Sequence, residues 1–95
     1  MHVISRKALK EAVTRHADLE APLHTWYSIA KKAHWKNLTD VRQTYPHTDV
    51  VGDLTVFNIK GNEYHLIVKI EYRFSTIFIR EVLTHAEYDK DRWKS

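Results

Sequence analysis

The hydrophobic pattern changes period once, at Asp53, and that change decides what the chain can fold into. Before it, apolar residues recur at helical spacing, as Ala8, Leu9, Ala12 and Val13 and then as Leu23, Trp26, Tyr27, Ala30 and Ala33. Each of these segments predicts a helix with one apolar face. After it, β-branched and aromatic residues alternate with polar ones in three runs, Leu54 to Ile59, Tyr64 to Tyr72 and Thr76 to Leu83. Those runs predict three antiparallel strands. Helices followed by a meander make an α+β layer, with two helices on one face of a small sheet. The other face then needs a cover of its own or a ligand.

Punctuation along the chain sets the expected boundaries. His2 to Ile4 suits a short N-terminal strand, and Ser5 is an N-cap that leaves Ile4 placed to staple against Leu9. The first helix should fade near Asp18, and Pro22 fits the opening turn of the second, where its missing donor costs nothing. Thr39 is the expected cap of a short third helix that Pro46 ends, and His47 to Gly52 reads as a connector. Gly61-Asn62 supplies positive backbone angles for a tight turn, and Arg73 to Ser75 is short enough for a second hairpin. Thr84 can cap a final helical turn that begins His85-Ala86-Glu87.

At 95 residues and 43% apolar the chain suits one domain, residues 1–95, with one core. The absence of Cys excludes a disulfide framework and thiolate zinc sites, and fits a reducing compartment such as the cytoplasm. No apolar run approaches the roughly 20 residues of a membrane span. Fifteen Lys and Arg against twelve Asp and Glu give a formal +3, which permits nucleic acid or an acidic protein as partner. The segment Lys31-Lys32-Ala33-His34-Trp35-Lys36 concentrates that charge beside an aromatic ring. Lysines there can track phosphates, or can simply complement the end of a helix.

The second strand of the hairpin carries the chemistry. Alternation puts Tyr64, Leu66, Val68, Ile70 and Tyr72 on a core face, and His65, Ile67, Lys69, Glu71 and Arg73 on the other. A solvated face with cross-strand ion pairs to Glu81 or Arg80 would show the same pattern. RNA cleavage without metal needs a 2′-hydroxyl deprotonated, the phosphorane's charge stabilised and the leaving 5′-oxygen protonated. His, Lys, Arg and Tyr meet those needs between them, and His85 and Tyr88, three apart on one side of a helical turn, can border such a face. None of the seven His residues has zinc-protease spacing, no acid cluster suggests two-metal chemistry, and no Gly-rich phosphate loop is present. No metal or other cofactor is expected.

These residues carry a family likeness. The chain resembles the HigB-type toxins of type II toxin-antitoxin modules, within the RelE/ParE-like superfamily. The likeness rests on His2-Val3-Ile4-Ser5-Arg6-Lys7-Ala8-Leu9, on Trp35-Lys36-Asn37 with Asp40-Val41-Arg42, and on Val56-Phe57-Asn58-Ile59 with Gly61-Asn62. It rests also on Phe78-Ile79-Arg80 with Thr84-His85-Ala86-Glu87-Tyr88-Asp89. The resemblance implies a RelE-like α+β fold, with an N-terminal strand and helices on a mainly antiparallel sheet and a short C-terminal helix. It implies an mRNA endoribonuclease acting at the ribosome, held inactive by a HigA-type helix-turn-helix antitoxin that also binds operator DNA. By position it implies His85, Tyr88 and His65 as catalytic residues, with Lys36, Lys60, Asn62, Lys69 and Arg73 as RNA contacts. Related sequences usually carry Arg where this chain has His65, which exchanges a permanent charge for a titratable ring. Two other classes fit the same residues: a ParE-like toxin that binds DNA gyrase, and a non-catalytic RNA- or ribosome-binding module.

Overall fold

A computed structural model describes residues 1–94. Five strands form one mixed sheet in the order β1-β5-β4-β3-β2, where β1 is His2–Ile4, β2 Asp49–Val51, β3 Leu54–Ile59, β4 Tyr64–Glu71 and β5 Thr76–Thr84. β2 to β5 form an antiparallel meander, and β1 runs parallel to β5 with Val3 opposite Ile77. Helices α1 (Arg6–Arg15), α2 (Glu20–Lys32) and α3 (Leu38–Thr44) precede the meander, and α4 (His85–Asp89) follows it directly. The α+β class read from the change of period is the observed one.

The main core lies between the helices and the sheet. Leu9 and Ala12 of α1, Leu23, Trp26 and Ala30 of α2 and Val41 of α3 meet Phe57, Leu66, Val68, Ile77 and Ile79. Phe57 is its centre, with Trp26 packed edge-on at 5.4 Å, Tyr45 edge-on at 5.3 Å and Trp35 stacked at 6.1 Å between ring centroids. Such pairs add about 0.5–1.5 kcal/mol each beyond simple burial. The Met1 ammonium donates to the carbonyls of Ala30, Lys31 and Ala33 at 3.1, 2.8 and 2.9 Å, which satisfies the end of α2 and docks β1 beside it. Val3 turns inward from β1, whereas Ile4 faces out, so the expected staple of Ile4 on Leu9 gives way to packing through Val3.

The second face of the sheet is covered over half its extent. Leu54, Val56, Ile67 and Trp93 form a smaller cluster there, with Val51, Leu83 and Tyr88 packed against it. β4 is thus a central strand buried on both faces over most of its length, and the alternative of a solvated second face is met only toward its Lys69 and Glu71 end. Alternation also breaks in β5. Ile67 pairs with Glu81 and Val68 with Ile79, so Arg80 is an extra residue without a cross-strand partner. This bulge lets Arg80 and Glu81 both avoid the core, and it resets the phase so that Val82 packs inward.

Other boundaries moved for local reasons. The first helix stops at Arg15, and a separate 3₁₀ turn, Ala17–Leu19, buries Leu19 before α2 begins. Asn37 caps α3 by accepting from the Asp40 amide at 3.0 Å, and Thr39 lies within the helix. The expected connector contains β2, paired to β3 through Asp49 and Val56. Positive φ falls on Lys60 (55°) and Gly61 (67°) rather than on Gly61 and Asn62. β4 ends at Glu71, and Tyr72–Phe74 form a 3₁₀ turn closed by left-handed Ser75.

The two candidate caps of α3 separate cleanly in urea unfolding. Asn37→Ala is expected to cost about 1 kcal/mol, the usual loss of a side-chain N-cap. Thr39→Ala, at an exposed position, should fall within about 0.5 kcal/mol of the parent.

Candidate functional site

α4 starts where β5 ends because Thr84 forms a reciprocal capping box. Its hydroxyl accepts from the Glu87 amide at 3.2 Å, and the Glu87 carboxylate accepts from the Thr84 amide at 2.9 Å. Those bonds hold the Glu87 carboxyl below its ordinary range, the backbone bond from Thr84 being the largest cause. The cap fixes the direction of the helical turn, and the turn delivers His85 and Tyr88 back over β4.

A line of four polar side chains results. His65 Nδ1 lies 3.0 Å from Asn58 Oδ1 on β3, and His65 Nε2 lies 3.0 Å from His85 Nδ1. His85 Nε2 lies 3.1 Å from Asp89 Oδ2, one turn on along α4. His65 is 3% exposed, while the His85 and Asp89 side chains are 48% and 62% exposed. The buried ring is therefore flanked by exposed partners at both nitrogens, Asn58 on β3 and His85 on α4. Tyr88 stacks on His65 at 4.0 Å between centroids and on Trp93 at 4.9 Å. The Trp93 indole donates to the Tyr88 carbonyl at 2.8 Å.

The partners constrain the protons. With Asn58 presenting its carbonyl oxygen, His65 donates from Nδ1 and accepts at Nε2. His85 then donates from Nδ1, and it bonds the Asp89 carboxylate only by donating from Nε2 as well, as an imidazolium. Turning the Asn58 amide over reverses the first two bonds and leaves both rings neutral. The line therefore gains or loses one proton without losing a hydrogen bond. Burial lowers the His65 pKa first, the neighbouring His85 charge lowers it further, and Asp89 only partly opposes them. Charge on the His65 ring is therefore disfavoured. Burial also raises the Tyr88 phenol, aided chiefly by Asp49, so it stays protonated and able to donate at neutral pH.

Of the eight residues read as functional, His65, His85 and Tyr88 are brought into contact. Lys69 and Arg73 border one hollow further along the same face, with Phe74, Phe78 and Arg80. Asn62 lines a separate hollow with Asn58 and the Pro46-His47 turn. Lys60 is turned to the helical side, with Nζ 2.8 Å from Asp18 and 3.5 Å from Glu63, and Tyr64 donates to the same Asp18 at 3.1 Å. Lys36 is exposed in the α2–α3 connector, its amide held by Asp40 at 2.9 Å, and no hydrogen bond or ion pair joins it to the histidines. Lys69 pairs with Asp53 at 3.6 Å and Glu71 at 3.5 Å, not with Glu81. Asn58, Asp89, Arg80 and Trp93 were not singled out from the sequence. Asp89 had a legible signal, its i, i+4 spacing from His85. Asn58 had another, as a polar residue inside an apolar strand.

Comparison with known proteins gives the family. The family model described as HigB_toxin, the RelE-like toxic component of a toxin-antitoxin system, matches residues 19–91. The chain is similar to the mRNA interferase toxin HigB of Escherichia coli K12, 32% identical over 92 residues that cover 94% of this chain and 88% of that protein. The mRNA interferase HigB of Shigella flexneri gives the same figures, 32% over 92 residues with 94% and 88% covered. The mRNA interferase HigB of Escherichia coli O6:H1 is 26% identical over 93 residues, covering 95% and 90%. Fold and matches together define a RelE-like toxic component of a toxin-antitoxin system. Within that class, the chain belongs to the HigB toxin family.

A depressed His65 pKa has a consequence for stability. The unfolded chain takes up a proton at this residue near the ordinary value of 6.5, whereas the folded chain resists until lower pH. Between those points the unfolded state holds more protons, so stability falls as pH drops below about 6.5. Thermal melts from pH 7 to 5 should show this decline, and His65→Gln should flatten it. A parental slope in the variant would show that His65 is not its source.

Proposed function

We propose that this chain is the mRNA-cleaving member of a toxin-antitoxin pair, a single domain over residues 1–95 that cuts translated messages at the ribosome in the cytoplasm. It works without a metal, and a HigA-type helix-turn-helix antitoxin neutralises it. The observation that carries the reading is the line Asn58–His65–His85–Asp89 beneath Tyr88, which ends at the surface in an acid and a base side by side. The names of the similar proteins support the substrate class.

The reaction follows from that end of the line. Asp89 takes the proton from the 2′-hydroxyl as its oxygen attacks the adjacent phosphorus. His85, as imidazolium, gives its Nε2 proton to the leaving 5′-oxygen, and a cyclic phosphate and a 5′-hydroxyl result. Asp89 and His85 then restore each other by direct transfer across their 3.1 Å contact. His65 never touches substrate. By accepting from His85 Nδ1 it keeps the transferable proton on Nε2, which is a positioning role. Tyr88 and Arg80 bind the phosphoryl oxygens as their charge grows, and Lys69 and Arg73 hold the strand beyond. Asn62, Lys60 and Lys36 contact the message or the ribosome from more distant positions, Lys60 only after leaving Asp18.

Primer extension on a translated message, with and without EDTA, tests the reading. Expression of the parent should arrest growth and give EDTA-insensitive cuts. His85→Ala and Asp89→Asn should each lower the single-turnover rate by about 10²–10⁴-fold, the usual worth of a positioned acid or base. A bridging sulfur in place of the leaving 5′-oxygen needs no acid and should rescue His85→Ala but not Asp89→Asn. His65→Gln, whose amide oxygen can accept from His85 Nδ1 without titrating, should move the acid limb of the rate profile to lower pH, because protonation of His65 abolishes its acceptor nitrogen, whereas His65→Arg, a donor at every pH, should lower the rate across the whole profile. An unchanged profile sinks the positioning role. Intact message with ribosome binding points instead to a non-catalytic module, and supercoiling defects point to a gyrase poison.

A further inference from the structure

Beyond Tyr88 and Trp93 the second face of the sheet lies open, and its composition there is specific. Phe74 and Phe78 are 66% and 39% exposed, and they share one hollow of about 760 Å³ with Lys69, Arg73 and Arg80. The Arg73 guanidinium lies over the Phe74 ring at 5.1 Å, the hollow's one carboxylate, Glu71, is paired with Lys69 at 3.5 Å, and among the described residues neither the Arg73 nor the Arg80 guanidinium has a carboxylate within ion-pair distance. Uncompensated guanidiniums beside exposed rings suit a ligand that offers flat apolar faces and negative charges together.

Position makes the ligand more definite. Phe78 sits opposite Lys69 in the sheet, and Lys69 is four residues along β4 from His65. That separation is about 13 Å at the rise of a strand, or roughly four stacked nucleotides at about 3.4 Å each. Arg80, freed from strict alternation by the bulge, also lines a second hollow of about 350 Å³ beside Glu87, Lys90 and Trp93. It therefore borders both the aromatic hollow and the hollow beside α4. A single strand of RNA offers flat faces and negative charges on one chain, with a phosphate between each pair of planar bases.

We propose that Phe74 and Phe78 form a stacking platform for unpaired bases of the message that flank the cleaved bond, with Arg73 and Arg80 on the intervening phosphates. This rests on the RNA-cleaving reading and extends it to a binding subsite away from the chemistry. Base–aromatic stacking tolerates any sequence because every base has a π face. The platform accordingly contributes affinity and register rather than base identity.

The test uses the full chain and a labelled single-stranded 2′-O-methyl oligonucleotide, which binds but offers no 2′-hydroxyl to attack. In anisotropy titrations Phe78→Ala and Phe74→Ala should each weaken binding by about five- to a hundredfold, the range that loss of a stacked base produces. Phe78→Trp should keep or improve it, and abasic residues in the flanking positions should erase the difference between parent and Ala variants. Arg73→Gln should reduce the dependence on salt by about one phosphate contact. Equal affinities for folded parent and Ala variants would overturn the platform, as would an equal loss on the abasic strand. Loss of binding only to ribosomes or only to an acidic antitoxin segment, with the oligonucleotide unaffected, would overturn it in favour of that partner. Because no cleavage is measured, a chain that binds through Phe78 yet cuts nothing would sink the catalytic reading alone.

Discussion

One buried imidazole organises the second face of this protein. β4 is covered on both sides, so His65 at its start has lost water and must find a partner for each ring nitrogen, or the fold bears the cost of an unsatisfied polar group. Asn58 supplies one partner from the neighbouring strand. The other comes from α4, a helix of only five residues. Such a segment is far too short to hold itself together. Its capping box, the stack of Tyr88 on His65 and the Trp93 indole bond fix it in place. The contacts that complete the fold of the C-terminal segment are therefore the contacts that assemble the site. Neither exists without the other.

This coupling explains what was legible beforehand. The change of period at Asp53 and the three strand runs are local signals, and they gave the layer and most of the core. Thr84 followed by Glu87 is likewise local, and it located the turn that carries His85 and Tyr88. β2 was hidden because Asp49-Val50-Val51 is a short, mostly exposed edge strand whose pairing depends on β3 rather than on its own pattern. The bulge at Arg80 was hidden for a similar reason, since a break in register belongs to two strands at once. Lys60 looked like a free cation at a hairpin tip. Its partner Asp18 lies 42 residues away, in a turn that only the tertiary structure brings near.

The burial of His65 also recasts its place in the family pattern. A resemblance to HigB-type toxins implied Arg at this position, and an arginine would carry permanent charge into the covered half of the sheet. Here burial disfavours charge on the ring, whose outer nitrogen faces His85 and, beyond it, the Asp89 carboxylate. The permanent charge on this face is carried by Lys69, Arg73 and Arg80, and Arg80 stays exposed because the bulge frees it from alternation. Charge and proton exchange are divided between different positions instead of residing in one guanidinium.

That division places the site's sensitivity in the packing of α4. A second proton on the histidine pair makes both facing nitrogens donors, so the 3.0 Å contact becomes a repulsion between like charges beneath the Tyr88 ring. Besides the histidine contact the helix is held by its capping box, by the Trp93 cluster and by the His85 amide, which donates to the Glu63 carbonyl at 3.0 Å. Acidification would then act on structure and chemistry through a single event, loosening α4 as it removes the acceptor that keeps the His85 proton on its outer nitrogen. On the proposed reading, a protonation that costs activity at this site also costs the local stability of α4.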